Sequence, residues 1–149
     1  MMRSLRVSMA GSILIEEALT ALDENQLKAK LPLDGCGAVV SFLGITRGTE
    51  GDAEVLRLEF DAWQAQLTPV LHHLAEQAIE IHGVRCVAMA HRTGSVGPEE
   101  AIVSIHVGSA HRKEAFRACE WLIDELKKQA PLWKKEVTSE GETWKAGLG

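Results

Sequence analysis

The sequence predicts an α+β protein. Three observations carry that class: short β-branched or alternating runs, two long stretches with apolar residues at three- and four-residue spacing, and neighbouring strands joined as a hairpin rather than in strict strand–helix–strand alternation. The 149 residues are 46% apolar and 25% charged, an ordinary globular composition, and read as a single domain over 1–149 with residues 1–11 flexible.

Residues 12–16 suit a short strand. Asp23, Glu24, Asn25 and Gln26 have the form of a capping box, opening a helix that runs to about Leu31 and is stopped by Pro32. Residues 35–44 are small and β-branched, as in a strand buried on both faces. Ile45, Thr46 and Arg47 end it, and the flexible turn GTEGD follows at 48–52. Arg47 therefore stands at a strand end beside a loop, where a solvated arginine and a ligand-binding arginine are both open readings.

Residues 53–60 alternate, with Val55, Leu56, Leu58 and Phe60 apolar. From Thr68 to about His82, the residues Val70, Leu71, Leu74, Ala78 and Ile81 keep helical spacing, and Gly83 can close the helix in a left-handed conformation. His72, His73 and His82 lie there without a metal-ligand pattern, and read as surface or partly packed side chains. Residues 84–90 and 101–107 form a hairpin with its turn at 95–100.

Ser109 is the expected N-cap of a second long helix, whose Phe116, Cys119, Ile123 and Leu126 face the core and which ends at Pro131. Its first turn carries His111, Arg112 and Lys113, although the amide dipoles already leave partial positive charge there; a cation costs a few tenths to ~1 kcal/mol. Helix N-terminal amides lack intrahelical partners and bind phosphate and carboxylate. The run therefore reads either as an anion site or as a solvated basic turn.

Lys127, Lys128, Lys134 and Lys135 bracket Pro131 and Trp133, and the segment after Pro131 is extended, able to fold back along the helix. A helix of about 18 residues is about 27 Å long. Local sequence thus leaves Lys127 far from His111, and the two groups of cations meet through another chain or layer, or form two sites. Residues 139–142 read as a turn into 143–145.

A net charge of −5 argues against a general nucleic-acid binder, so any anion site is local. Without an apolar run of membrane length or a secretory signal, the expectation is a cytoplasmic protein with neither nucleic-acid nor membrane partners. Cys36, Cys86 and Cys119 are odd in number and set in apolar patterns, as reduced core thiols are; no metal and no cofactor is expected. Trp63, Trp121, Trp133 and Trp144 exceed what one small core easily takes, so a partner covers some of them or they line a pocket.

Three blocks occur in a recognisable order and spacing: GAVVSFLGITRG at 37–48, HRTGSVGP at 91–98, and VGSAHRKEAF with LKKQAPLWKKE and EGETW over 107–144. From about residue 35 to 145 the chain resembles the MoaE family, the catalytic large subunit of molybdopterin synthase. That resemblance implies an α/β-hammerhead-type fold with a mixed or antiparallel sheet and packed helices. It also implies a homodimer within a heterotetramer, each end carrying a small ubiquitin-like sulfur-carrier subunit with a C-terminal Gly-Gly thiocarboxylate. The implied reaction moves two sulfurs from that thiocarboxylate to cyclic pyranopterin monophosphate, forming the dithiolene of molybdopterin.

By resemblance, Lys127 and Lys134 match the family's essential lysines, and Arg47, His111 and Arg112 its anion- and substrate-binding positions. Phe42 is expected in the pocket wall and Glu136 beside Lys134. The chain departs from the family pattern at Phe60-Asp61-Ala62-Trp63, where a Tyr-Glu-x-Tyr run is usual, and at Glu99, where Gly usually follows the proline. Two other classes stay open: a non-catalytic phosphate- or nucleotide-binding or carrier-docking homologue, and a sulfurtransferase working through a reactive cysteine.

Overall fold

The structure, a computed structural model, describes residues 12–146, so the flexibility expected of residues 1–11 lies outside the described residues. In chain order the elements are β1 (Ser12–Ala18), α1 (Glu24–Ala29), β2 (Ala38–Ile45), β3 (Thr49–Glu50), β4 (Ala53–Ala62), α2 (Gln64–His82), β5 (Cys86–Arg92), β6 (Gly94–Val96), β7 (Ala101–Ser109), α3 (Arg112–Gln129), β8 (Leu132–Thr138) and β9 (Gly141–Ala146). Strands and helices are mixed, as the α+β class requires.

One sheet has the order β1-β5-β7-β2, with β1 parallel to β5 and the other pairs antiparallel. Side chains alternate across a strand, and β5 uses both faces. Val87 and Met89 meet Leu71 and Leu74 of α2 and Leu122 of α3, whereas Cys86, Ala88 and Ala90 meet Leu27 of α1 and the following Leu31. Every residue of β5 is therefore buried. β2 is not the doubly buried strand that its composition suggests. Among the described residues it pairs with β7 alone, and Val39 and Ser41 are exposed, because α1 covers β5 and leaves this edge open.

The N-cap half of the capping box is realised: the Asp23 side chain accepts from Gln26 N at 3.0 Å. α2 starts at Gln64, ahead of Thr68, because the Trp63 carbonyl accepts from Gln66 N and Leu67 N, and Pro69 is accommodated inside the helix. Gly83 closes it with φ 71° and donates to Ile79 O at 3.0 Å. Ile81 is exposed, off the packed face.

Two expectations for α3 are corrected. Its N-cap is His111 rather than Ser109, which is buried at the end of β7 with its carbonyl accepting from Gly37 N at 2.9 Å. The buried stripe is Ala115, Ala118, Cys119, Leu122 and Leu126. Phe116 is 61% exposed, since it stands ~100° round the helix from Ala115. Glu114 shares the first turn with the basic residues and offsets part of their charge.

The second sheet has the order β3-β4-β8-β9, and β6 also pairs with β4. β5 and β7 do form an antiparallel pair, but their connection is more than a turn: Gly94–Val96 crosses to Phe60 and Leu58 and ties the sheets together. GTEGD is a small hairpin rather than a loose loop, with Thr49 opposite Glu54 and Glu50 opposite Ala53. After Pro131 the chain leaves α3 and joins β4 as β8, so it does not run back along the helix. Trp63, Trp133 and Trp144 are exposed, while Trp121 packs edge-on to His82.

Candidate active site

Strand alternation sets the site. On β8, Lys134 and Glu136 share one face, while Trp133 and Lys135 take the other. The register places Lys134 between Phe60 of β4 and Lys145 of β9, and Glu136 between Leu58 and Thr143. Arg47 arrives just past the end of β2, and Lys127 in the last turn of α3, held by the buried Leu126 before it. Arg47, Glu50, Lys127, Lys134, Glu136 and Lys145 converge on a cavity of about 310 Å³.

A second chamber of about 190 Å³ adjoins the first, and Ile45, Ile102, Lys127 and Lys134 line both. Its wall is mostly carbon, from Phe42, Phe60, Ile105 and Ile123 among others, and it also includes His91. The site thus has a charged half and an apolar half, with two lysines at the junction.

In the charged half four cations face two carboxylates. Glu50 pairs with Arg47 at 3.7 Å and Glu136 with Lys145 at 3.8 Å. The Arg47 pair is solvated and contributes at most ~1 kcal/mol. Burial holds Lys134 below the usual lysine range, Lys145 and Arg47 push the same way, and Glu136 and Glu50 oppose them. Such an ammonium gives up its proton more readily than an exposed lysine, and Glu136 and Glu50 act to keep it charged.

The structure does not bring all the predicted residues together. Arg47, Lys127, Lys134, Glu136 and Phe42 line the two chambers, but His111 and Arg112 stand exposed at the opposite end of α3. Fifteen helical steps from Arg112 to Lys127 are about 22 Å. Lys145, Glu50, Thr46 and His91 line the chambers and were absent from the sequence prediction. One signal existed for Lys145. With Ser139 and Glu140 as the hairpin loop, counting outward from Thr138 opposite Gly141 sets Lys134 opposite Lys145.

The thiols lie elsewhere. No cysteine lines either chamber. Burial, with Cys36 alongside, pushes the Cys86 thiol up to about 12, and burial pushes Cys119 up to about 11. Among the described residues no group of three His, Cys, Asp or Glu side chains is placed to hold a metal, and no helix is long and apolar enough to cross a membrane. His72 and His73 are exposed and His82 is half-buried.

A family model described as MoaE protein matches residues 16–129. The molybdopterin synthase catalytic subunit of Caulobacter vibrioides is 41% identical over 108 residues, covering 72% of this chain and 71% of that protein. Among solved structures, molybdopterin synthase from Staphylococcus aureus superposes with a TM-score of 0.83 at 28% identity, over 88% of this chain and 96% of that one. A complex of subunits 1 and 2 of molybdopterin-converting factor from Helicobacter pylori matches with a TM-score of 0.72 at 25% identity, over 87% of this chain and 88% of that one. With the family model spanning most of the chain and the same fold in these relatives, the chain belongs to the MoaE family.

Proposed function

We propose that this chain is the catalytic subunit of a molybdopterin synthase, a sulfurtransferase that takes sulfur from a small partner subunit. The observation that carries this reading is the convergence of Arg47, Lys127, Lys134 and Lys145 on one cavity that no thiol lines. A phosphorylated pterin and a thiocarboxylate are both anions, so such a pocket can hold them while the sulfur arrives from outside. The donor is the C-terminal Gly-Gly thiocarboxylate of the carrier, and the acceptor is cyclic pyranopterin monophosphate.

Lys127 and Lys134, at the junction of the two chambers, face both reactants. Lys127 orients the thiocarboxylate and donates a proton, and Lys134 stabilises charge developing on the pterin side. Glu136 pairs with Lys145 and its charge also opposes the loss of the Lys134 proton, so it tunes both cations. Phe42 forms the wall of the apolar half. The free thiols fit work in the cytoplasm.

His111 and Arg112 join the site across a homodimer within a heterotetramer. Among the described residues β2 is an open edge, whose start is tied to Ser109, two residues before His111, and whose end leads to Arg47. Its eight residues span about 24 Å, close to the helical separation of the two groups of cations. Two β2 edges paired antiparallel about a two-fold would set one chain's His111 and Arg112 beside the other's Arg47.

The test mixes the protein with thiocarboxylated carrier and cyclic pterin and looks for the dithiolene product. Its absence with folded protein and intact thiocarboxylate would refute the reading. Mixed dimers of Arg112→Ala and Lys127→Ala test sharing: recovery of activity is expected, and none would show that each site is built within one chain.

A further inference from the structure

The roles assigned above leave His91 unused. It lies on β5, fully buried, with its ring edge-on to Phe60 at 5.3 Å between centroids. Its Nδ1 stands 2.7 Å from the carbonyl oxygen of Arg92. A carbonyl only accepts, so the proton is on Nδ1 and Nε2 carries the free lone pair. That Nε2 has no hydrogen-bond partner among the described residues.

A buried acceptor left unpaired costs roughly 1–3 kcal/mol, so most such atoms are satisfied by protein or by something bound. His91 lines the apolar chamber, where the other polar side chains are the ammonium groups of Lys127 and Lys134. Among the side chains that line the chamber, His91 is thus the one that carries a neutral acceptor, and its Nε2 is itself buried. Burial also keeps the ring uncharged, with its affinity for a proton lowered to about 4, so Nε2 stays an acceptor at neutral pH.

We propose that His91 is a positioning residue for sulfur transfer, its Nε2 accepting a hydrogen bond from an N–H or O–H of the ligand that enters the apolar chamber. The inference rests on the sulfur-transfer reading above. The donor is an amide N–H of the carrier's glycine tail or a ring N–H of the pterin. In either case the ligand is fixed in orientation at the junction where Lys127 and Lys134 reach it.

The decisive experiment follows the Nε2 nitrogen resonance of His91 in the wild-type protein, assigned by comparison with His91→Gln. Two probes are added separately: carrier ending in an ordinary, unreactive Gly-Gly carboxylate, and the cyclic pterin alone. One of them is expected to move Nε2 from a free to a hydrogen-bonded position, which names the source of the donor. An Nε2 already hydrogen-bonded without ligand, or unmoved when both bound probes shift other site resonances, overturns the proposal.

Kinetics give a second arm. His91→Leu removes the acceptor at similar volume, and His91→Gln returns an oxygen near the position of Nε2. The expected result is about a tenfold fall in kcat/KM for Leu, the size of one hydrogen bond. The fall should be concentrated in the KM of one substrate and largely recovered by Gln. A folded His91→Leu protein with wild-type kcat/KM overturns the proposal, and if Leu does not fold, the resonance measurement on wild type decides. Wild-type protein that makes no dithiolene in the same assay counts against the sulfur-transfer reading itself.

Discussion

Acid should destabilise this protein through His91 in a way that can be calculated. The side chain is fully buried and its pKa falls from 6.5 to about 4, because burial disfavours the imidazolium more than the Arg92 carbonyl favours it. Above pH 6.5 the ring is neutral in both the folded and unfolded chain, and stability is whole. As pH falls from 6.5 to about 4 only the unfolded chain takes up the proton, so stability is lost across that window and levels off below it. A difference of about 2.5 pH units at ~1.4 kcal/mol each bounds the loss at about 3.5 kcal/mol. His106, also held low by burial and by Lys28, adds in the same direction. Urea unfolding of wild type and His91→Leu at neutral pH and at about pH 4.5 isolates the His91 part: the wild type should lose about 2–3 kcal/mol more than the variant. Equal pH dependence in the two proteins would show that His91 is not buried neutral as described.

Three further outcomes are expected. Lys145→Met removes a cation that holds Lys134 down, so the alkaline fall of sulfur transfer should move to higher pH, and Glu136→Gln should move it lower; pH–rate profiles unchanged in both would exclude Lys134 as the cation whose charge the reaction needs. Glu99 has φ 67°, in the left-handed region, where a side chain costs about 1–2 kcal/mol, partly offset by the greater freedom of an unfolded glycine. Glu99→Gly should therefore stabilise by about 0.5–1 kcal/mol and raise Tm by a few degrees, while Glu99→Ala should not; equal Tm values would refute the strain. Iodoacetamide should label at most Cys36 in the native protein and all three cysteines in urea, with transfer activity unaffected; inactivation on labelling would revive the cysteine-based mechanism.

The departure at Glu99 shows how a sequence comparison becomes physical. Its backbone N donates to Thr46 O at 2.8 Å, one residue before Arg47, so the segment after β6 holds the end of β2. The glycine usual in the family suits a backbone that must turn left-handed here. The substitution bears on that turn, while Glu99 itself lines neither chamber.

Periodicity and punctuation read well because they are local. Asp23 and Gln26 announced α1, Gly83 and Pro131 ended the long helices, and alternation marked β4. Errors arose where a residue's surroundings are set by distant chain. Phe116 has core chemistry but lies off the buried stripe, and Ser109 has cap chemistry but is consumed by β7 and its bond to Gly37. The run at 35–44 has the composition of an inner strand, yet β2 sits at an edge.

What the sequence determined by itself was a set of motifs: the lysines around Pro131, Arg47 after a small-residue strand, and the His-Arg pair opening a helix. Only the tertiary structure decided which of them share a cavity. Lys145 joins Lys134 because a hairpin sets them opposite each other, and His91 enters because β5 is covered on both faces. Arg112 is kept away from Lys127 by the length of the helix that carries both. Charge type is a property of one residue, whereas desolvation and convergence belong to the packing of segments far apart in the chain, and these set the working state of Lys134.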